Sequence, residues 1–295
     1  MQLTPVEQTH ADGSVIGGYA SEQRGLPLLV FLHGNGFAAG AYLPLLGALQ
    51  PHFDLLLLDI PGHGRSDHVA PFIGWNEAAE RVHQAALATG LCADRAVYGV
   101  GHSLGGALTM LSAHRHPASY QGLVLLDPII FPPHMLVLMR VVSALGLTER
   151  FHPHIKSTLR RRRRWDNRQQ VVDYLATRAV FRDWTQDSLS SFANYAINDS
   201  DNGVELACKP EVEALFFGTL PSGLWRAIKG IQCPASLLMG QSTYPFSLRA
   251  ATIAEKSNSN ITQMVVPGSH CFMQEDPPGT AERVLRVLMN GKLGK

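Results

Sequence analysis

The stretch Val97-Tyr98-Gly99-Val100-Gly101-His102-Ser103-Leu104-Gly105-Gly106 decides the fold. Its apolar, β-branched start predicts a strand, and the strand runs into Gly-x-Ser-x-Gly. Leu104, Leu108 and Leu111 then recur at spacings of four and three, which predicts a helix beginning at once. Strand, sharp turn and helix in succession lift a serine hydroxyl clear of the sheet, the setting in which serine acts as a nucleophile. Gly101 and Gly105 lack a Cβ, so strand and helix can approach closely on either side of Ser103.

The segments around this stretch repeat its rhythm. Residues 14–20, 27–32, 53–60, 122–126, 235–239 and 261–266 predict further strands. Residues 42–49, 76–89, 104–116, 245–255 and 280–289 predict helices between or after them, with Asn76 as an N-cap. Strands and helices alternating at these lengths imply a parallel sheet with crossover connections. The rhythm stops at Ile129. Residues 135–145, 154–164, 169–180, 188–196, 210–217 and 222–229 predict helices with no central strand among them. The expected division is therefore a core of residues 1–130 and 229–295, with a helical cap of residues 131–228 inserted after the sixth strand.

That insert holds Trp165, Trp184 and Trp225 and six of the twelve phenylalanines, Phe151 among them, some packing the cap and some lining an apolar pocket. It also holds five consecutive arginines, 160–164. On a helix these point all round, either as a solvated face or toward an anionic substrate, partner or membrane surface.

Composition limits the partners. The chain has 295 residues, 45% of them hydrophobic, and 25 basic against 24 acidic residues, a net charge of +1. This balance supplies no general field for nucleic acid. No apolar run is long enough for stable membrane insertion, and the N-terminal residues lack the basic start and apolar stretch of a secretory signal. The four cysteines are scattered without Cys-x-x-Cys spacing, so neither a metal site nor a disulfide framework is expected, and the expected location is cytoplasmic.

The candidate chemistry gathers at the strand ends. Ser103 needs a base, and His270 follows the last strand on a Gly268-Ser269 turn at the same sheet edge. Imidazole, with an ordinary pKa of ~6.5, can take the serine proton at neutral pH and return it to a leaving group. A carboxylate should orient that imidazole. The loop after Met239 reads Gly240-Gln241-Ser242-Thr243-Tyr244, and no Asp or Glu occurs between Glu213 and Glu255. Asp127, ending the strand beside the serine strand, is the leading candidate. A structural Asp at the cap hinge, a cap carboxylate or a Ser–His dyad are the alternatives. His33-Gly34-Asn35-Gly36 ends another central strand and offers the N–H of Asn35 or Gly36 to an oxyanion. Asp59, in Asp59-Ile60-Pro61-Gly62-His63-Gly64, is expected to accept loop N–H groups.

In order and spacing, His33-Gly34, Asp59-x-x-Gly62-x-Gly64-x-Ser66, Gly101-His102-Ser103-Leu104-Gly105-Gly106 and Gly268-Ser269-His270 resemble the α/β-hydrolase superfamily. The resemblance covers nearly the whole chain. It implies a mostly parallel eight-stranded sheet with helices on both faces and an inserted helical cap. It implies Ser103, His270 and an acid as a triad, with the N–H groups of Leu104 and of Asn35 (or Gly36) as oxyanion donors. The superfamily mostly places its acid after the strand that here ends at Met239, and some members place it where Asp127 stands. Dehalogenases and soluble epoxide hydrolases of this fold use Asp where this chain has Ser103. Cofactor-free haloperoxidases usually carry an aromatic residue where it has His102, and ring-fission carbon–carbon hydrolases often carry Asn.

The expectation is a cofactor-free serine hydrolase that cleaves a small apolar carboxylic ester through an acyl-enzyme. A thioesterase, carbon–carbon hydrolase or acyltransferase on the same triad, or a non-catalytic ligand-binding protein of this fold, are the alternatives. Nothing in the sequence indicates the oligomeric state.

Overall fold

Four apolar runs become strands buried at every position: β3 (Leu28–Leu32), β4 (Asp54–Leu58), β6 (Gly122–Leu126) and β10 (Ala235–Gly240). Strands buried on both faces need a layer of helices on each side. In the computed structural model, which describes residues 1–146 and 153–290, they join β1 (Leu3–Thr9), β2 (Val15–Ser21), β5 (Val97–His102) and β11 (Ile261–Val266). The eight strands lie in the order β1-β2-β4-β3-β5-β6-β10-β11. β2 runs antiparallel to both β1 and β4, and all pairings from β4 to β11 are parallel, so those strands deliver their C-terminal ends to one edge.

The helices of the core are α1 (Leu43–Leu49), α2 (Gly74–Ala88) and α3 (Leu104–Arg115). Between β6 and β10 come α4 (Pro133–Ala144), α5 (Pro153–Leu159), α6 (Arg168–Ala176), α7 (Gln186–Tyr195), α8 (Pro210–Gly218) and α9 (Leu224–Gly230). The chain closes with α10 (Pro245–Ser257), α11 (Phe272–Glu275) and α12 (Pro277–Asn290). Alternation along the strands divides the apolar residues between two cores. Leu28, Val30, Leu56 and Leu58 pack with Val82 of α2, Leu108 of α3 and Ala250 of α10. Leu29, Phe31, Leu55 and Leu57 pack with Leu45 and Leu49 of α1 and Val284 of α12. No helix among the described residues is long and apolar enough to cross a membrane.

The structure departs from the sequence expectation in four places. β1 was not expected. Its residues are mostly polar and exposed, and pairing with β2 rather than burial holds it. The insert is not all helix: β7 (Arg164–Trp165), β8 (Ile197–Ser200) and β9 (Gly203–Leu206) form a separate antiparallel sheet. Strands of two to four residues are too short to show an alternating pattern. The arginine run is not helical, because α5 ends at Leu159 and Arg164 already pairs with Glu205 in the small sheet. Like charges three and four residues apart disfavour a helix, and Arg161, Arg163 and Arg164 each face a glutamate instead. Asn76 does not cap α2, which starts two residues earlier. Its amide exchanges hydrogen bonds with the backbone of Ser222, at 2.9 and 2.8 Å.

Phe151 lies outside the described residues. Elsewhere the insert meets the core at the C-terminal sheet edge. Phe37, in the loop after β3, packs edge-on against Trp184 and Phe192. The Asn35 side chain donates to the Glu213 carbonyl at 3.0 Å. α9, expected as part of the insert, contributes Leu224, Ala227 and Ile228 to the cluster that contains α2 and α3.

Candidate active site

β5 ends at His102, and Ser103 follows as the N-cap of α3 with a φ of 52°. Among the described residues only Asp94, Ser103 and Asp127 combine a side chain beyond glycine with a positive φ. Such conformations cost about 1–3 kcal/mol each and persist where the surroundings hold them. Here the Ser103 N–H donates to Leu126, and its carbonyl accepts from Ala107 and Ile129, all at 3.1 Å. The flanking glycines make the turn possible. A Cβ on Gly101 would lie 2.6 Å from the Gly105 carbonyl, and one on Gly105 would collide with the Leu32 carbonyl.

The sheet edge brings the expected side chains together. His270 Nε2 is 3.0 Å from Ser103 Oγ, and His270 Nδ1 is 2.9 Å from Asp127 Oδ1. Asp127 is fully buried, whereas about a fifth of the His270 side chain is exposed. The loop after β10 surrounds the carboxylate with donors. The Gly240 N–H reaches Oδ2 at 2.7 Å, and the Thr243 hydroxyl reaches Oδ1 at 2.7 Å. The buried charge is thus held by three donors on two neighbouring strand ends, as a buried charge requires.

At the N-terminus of α3 the Leu104 N–H has no acceptor among the described residues, and neither has the Asn35 N–H. Gly36 differs, contrary to its place among the expected oxyanion donors. Its N–H is already committed to His63 Nε2 at 2.9 Å. The His63 Nδ1 faces the Pro61 carbonyl at 3.2 Å, so the proton sits on Nδ1 and Nε2 is free to accept. Burial pushes the His63 pKa down to about 4.

Sequence reasoning missed a relay behind this site. The Gly34 N–H donates to the Tyr42 hydroxyl at 3.1 Å, and Tyr42 Oη lies 2.6 Å from His102 Nδ1. His102 Nε2 lies 3.0 Å from the His270 carbonyl. A carbonyl only accepts, so His102 carries its proton on Nε2 and Tyr42 donates to Nδ1. The chain Gly34–Tyr42–His102–His270 therefore ties the loop after β3 to the loop bearing His270. Burial and the neighbouring His270 hold His102 well below the ordinary histidine pKa, so it stays neutral. The partners are 60 and 168 residues apart, and no local pattern announces them.

Other candidates stand aside. Asp59 accepts the N–H groups of Ala39 and Arg65 at 2.7 and 2.9 Å, and burial raises its pKa to about 6. His33 Nε2 accepts the Ile60 N–H at 3.0 Å, so it braces the loop. Cys271, next to His270, is buried and its thiol is pushed well up by that burial, so it holds no reactive thiolate.

A mostly parallel eight-stranded sheet, with Gly-x-Ser-x-Gly on the strand-to-helix turn of β5, defines the α/β-hydrolase fold. The model of the alpha/beta hydrolase family matches residues 29–283, and the chain belongs to that family. A 2-(acetamidomethylene)succinate hydrolase of Mesorhizobium japonicum is 25% identical over 264 residues, 90% of this chain and 87% of the relative. A pimeloyl-[acyl-carrier protein] methyl ester esterase of Yersinia enterocolitica is 38% identical over 96 residues, 32% of this chain and 34% of the relative. The crystal structure of E-2-(acetamidomethylene)succinate hydrolase matches with a TM-score of 0.78 at 19% identity, covering 98% of this chain and 100% of that one. At that identity the structural likeness speaks for the fold.

Proposed function

We propose that this protein is a serine hydrolase that cleaves a carboxylic ester with an apolar body through an acyl-enzyme. The observation that carries the proposal is the unbroken line Ser103 Oγ, His270 Nε2, His270 Nδ1, Asp127 Oδ1, with links of 3.0 and 2.9 Å. Ser103 attacks the ester carbonyl while His270 Nε2 takes its proton. The Nδ1–H of the resulting imidazolium stays hydrogen-bonded to Asp127, which remains ionised. The N–H groups of Leu104 and Asn35 receive the oxyanion. The imidazolium returns the proton to the departing alkoxide, and the alcohol leaves. Water, deprotonated by His270, then attacks the acyl-enzyme and releases the acid and Ser103.

The apolar body is argued from the rings around His270. Tyr244 lies with its centroid 5.1 Å away, and Phe246 stacks on Tyr244 at 5.5 Å. The names of two relatives, a methyl ester esterase and a 2-(acetamidomethylene)succinate hydrolase, agree with a hydrolytic reaction. The non-catalytic alternative rested on the missing acid after β10, and the 2.9 Å contact of Asp127 Oδ1 with His270 Nδ1 favours the catalytic reading over it.

A fluorophosphonate probe tests the proposal. Stoichiometric labelling of Ser103, lost in Ser103→Ala, is the expected result. An unlabelled Ser103 in folded protein would refute it. A panel of carboxylic esters, acyl-CoA thioesters and a ring-fission dienoate then separates ester cleavage from thioester and carbon–carbon cleavage.

A further inference from the structure

His102 is the last residue of β5 and stands between the two loops that meet at Ser103. It is only 1% exposed. The Phe37 ring stacks on it with centroids 6.2 Å apart, and the His270 ring centroid is 4.9 Å away. Both of its ring nitrogens are engaged. Nδ1 accepts from the Tyr42 hydroxyl at 2.6 Å, and Nε2 donates to the His270 carbonyl at 3.0 Å. A buried imidazole whose two partners fix its tautomer is a rigid connector between them.

The turn that bears His270 is held from within on one side only. The Ser269 N–H donates to Glu275 at 3.0 Å, the Ser269 hydroxyl donates to the same carboxylate, and the Cys271 N–H donates to that hydroxyl at 3.2 Å. No backbone N–H among the described residues reaches the His270 carbonyl, which takes its hydrogen bond from His102. At the far end of the relay, the Tyr42 hydroxyl accepts the Gly34 N–H at 3.1 Å. Gly34 immediately precedes Asn35, whose N–H is proposed to receive the oxyanion. The approach is tight, since a Cβ on Gly34 would stand 2.7 Å from His102 Nδ1. The base and the oxyanion loop therefore share one connection through a single neutral side chain. Neutrality matters once His270 takes up the serine proton, because a second imidazolium 4.9 Å away would oppose that charge.

We propose that His102 is a positioning residue: through Tyr42 and the His270 carbonyl it registers the base against the oxyanion loop, so that the His270 ring bridges Ser103 and Asp127. The role rests on the hydrolase reading and deepens it. His102 does not act on the reacting atoms; it sets where the His270 ring lies. Links of 3.0 and 2.9 Å require that ring to meet Ser103 and Asp127 at once. A displacement of about 1 Å at a reacting group can cost about a hundredfold in rate. An apolar side chain at position 102 would fill the space and leave the two loops unconnected.

The test times the labelling of Ser103 by a fluorophosphonate and records ring-nitrogen spectra of protein carrying isotope-labelled histidine. His102→Leu fills the space without either hydrogen bond. Its limiting labelling rate should fall about a hundredfold, while the probe concentration giving half that rate stays within about threefold of wild type. His102→Gln still has a carbonyl to accept from Tyr42 and an amide to donate to His270, and should recover most of the rate. In the spectra, neutral His270 of the wild type should hold one tautomer, with its proton on Nδ1 toward Asp127. It should become a mixture of tautomers in His102→Leu and return to one in His102→Gln. Tyr42→Phe cuts the relay one link further out and keeps the shape of the core. It should slow labelling by about tenfold with a smaller change in tautomer, and it decides the matter if His102→Leu does not fold. Three results each overturn the proposal: a rate retained when the relay is cut, the same His270 tautomers in wild type and cut variants, or His102→Gln as slow as His102→Leu. A wild type that the probe does not label at Ser103 overturns the hydrolase reading instead, and the spectra, which need no reaction, still decide the relay.

Discussion

The ends of β6 and β10 lie side by side and carry opposite halves of one arrangement. β6 ends in a carboxylate, Asp127, with a positive φ and full burial. β10 ends in donors, the Gly240 N–H and the Thr243 hydroxyl, both at 2.7 Å from that carboxylate. Parallel neighbours are about 4.8 Å apart, so a side chain on either end reaches the same space above the sheet edge. Charge and solvation of the charge can therefore be divided between the two ends in either sense. This chain puts the charge on the strand next to β5. It fills the position where the superfamily mostly has its acid with groups that stabilise a carboxylate.

The comparison can be broken at several depths. The deepest cut removes the group both strand ends serve. Ser103→Ala should lower kcat by roughly a million-fold, as expected when a triad acts as a unit. Turnover of a preferred ester within a hundredfold of wild type would remove the serine from the mechanism.

The next cut tests where the charge is. Asp127→Asn keeps the shape and removes the charge, and kcat should fall by about ten-thousand-fold. A loss below tenfold would show that the β6 end does not orient His270. Thr243→Val tests the other half. It leaves the carboxylate with one donor fewer, which should cost about 1–3 kcal/mol of stability and roughly tenfold in kcat. Equal melting temperatures and rates in the two proteins would show that the β10 end contributes nothing to the charge.

A pH-dependent effect, with no loss of activity at neutral pH, sharpens the comparison from the other side of Ser103, where the loops after β3 and β4 meet through neutral histidine. His63 has its pKa lowered from 6.5 to about 4 by burial, and it accepts the Gly36 N–H. Between those values the unfolded chain binds more protons than the native state. Stability from this group is complete above pH 6.5 and is lost as pH falls through 4. The shift corresponds to about 3 kcal/mol over the window. Melting temperature should fall between pH 7 and pH 5 in the wild type and fall less in His63→Asn. An unchanged slope in the variant would assign the acid sensitivity elsewhere.

The site was legible to the extent that local chemistry announces it. Ser103 sits in a turn whose glycines are required by contacts of its own strand and helix. His270 follows the last strand, and topology alone puts that loop at the right edge. Asp127 could be named because the usual loop held no acid, although its donors Gly240 and Thr243 were read only as a gap. Tyr42 and His102 were illegible, since a hydrogen-bonded pair 60 residues apart leaves no periodic trace. The small sheet of the insert was illegible because its strands are shorter than the window in which alternation can be seen.

By itself the sequence determined the alternation of buried strands and helices, the turn at Ser103 and the edge at which His270 appears. These follow from side-chain periodicity and from glycine, which act within a few residues of themselves. Tertiary structure decided which strand end carries charge beside which donors, which loop N–H groups stay unengaged, and which of five identical arginines turns inward to Glu213. Such matters depend on the distance between segments far apart in the chain. Hydrogen bonds and ion pairs are set by ångströms across space, and residue order does not record them.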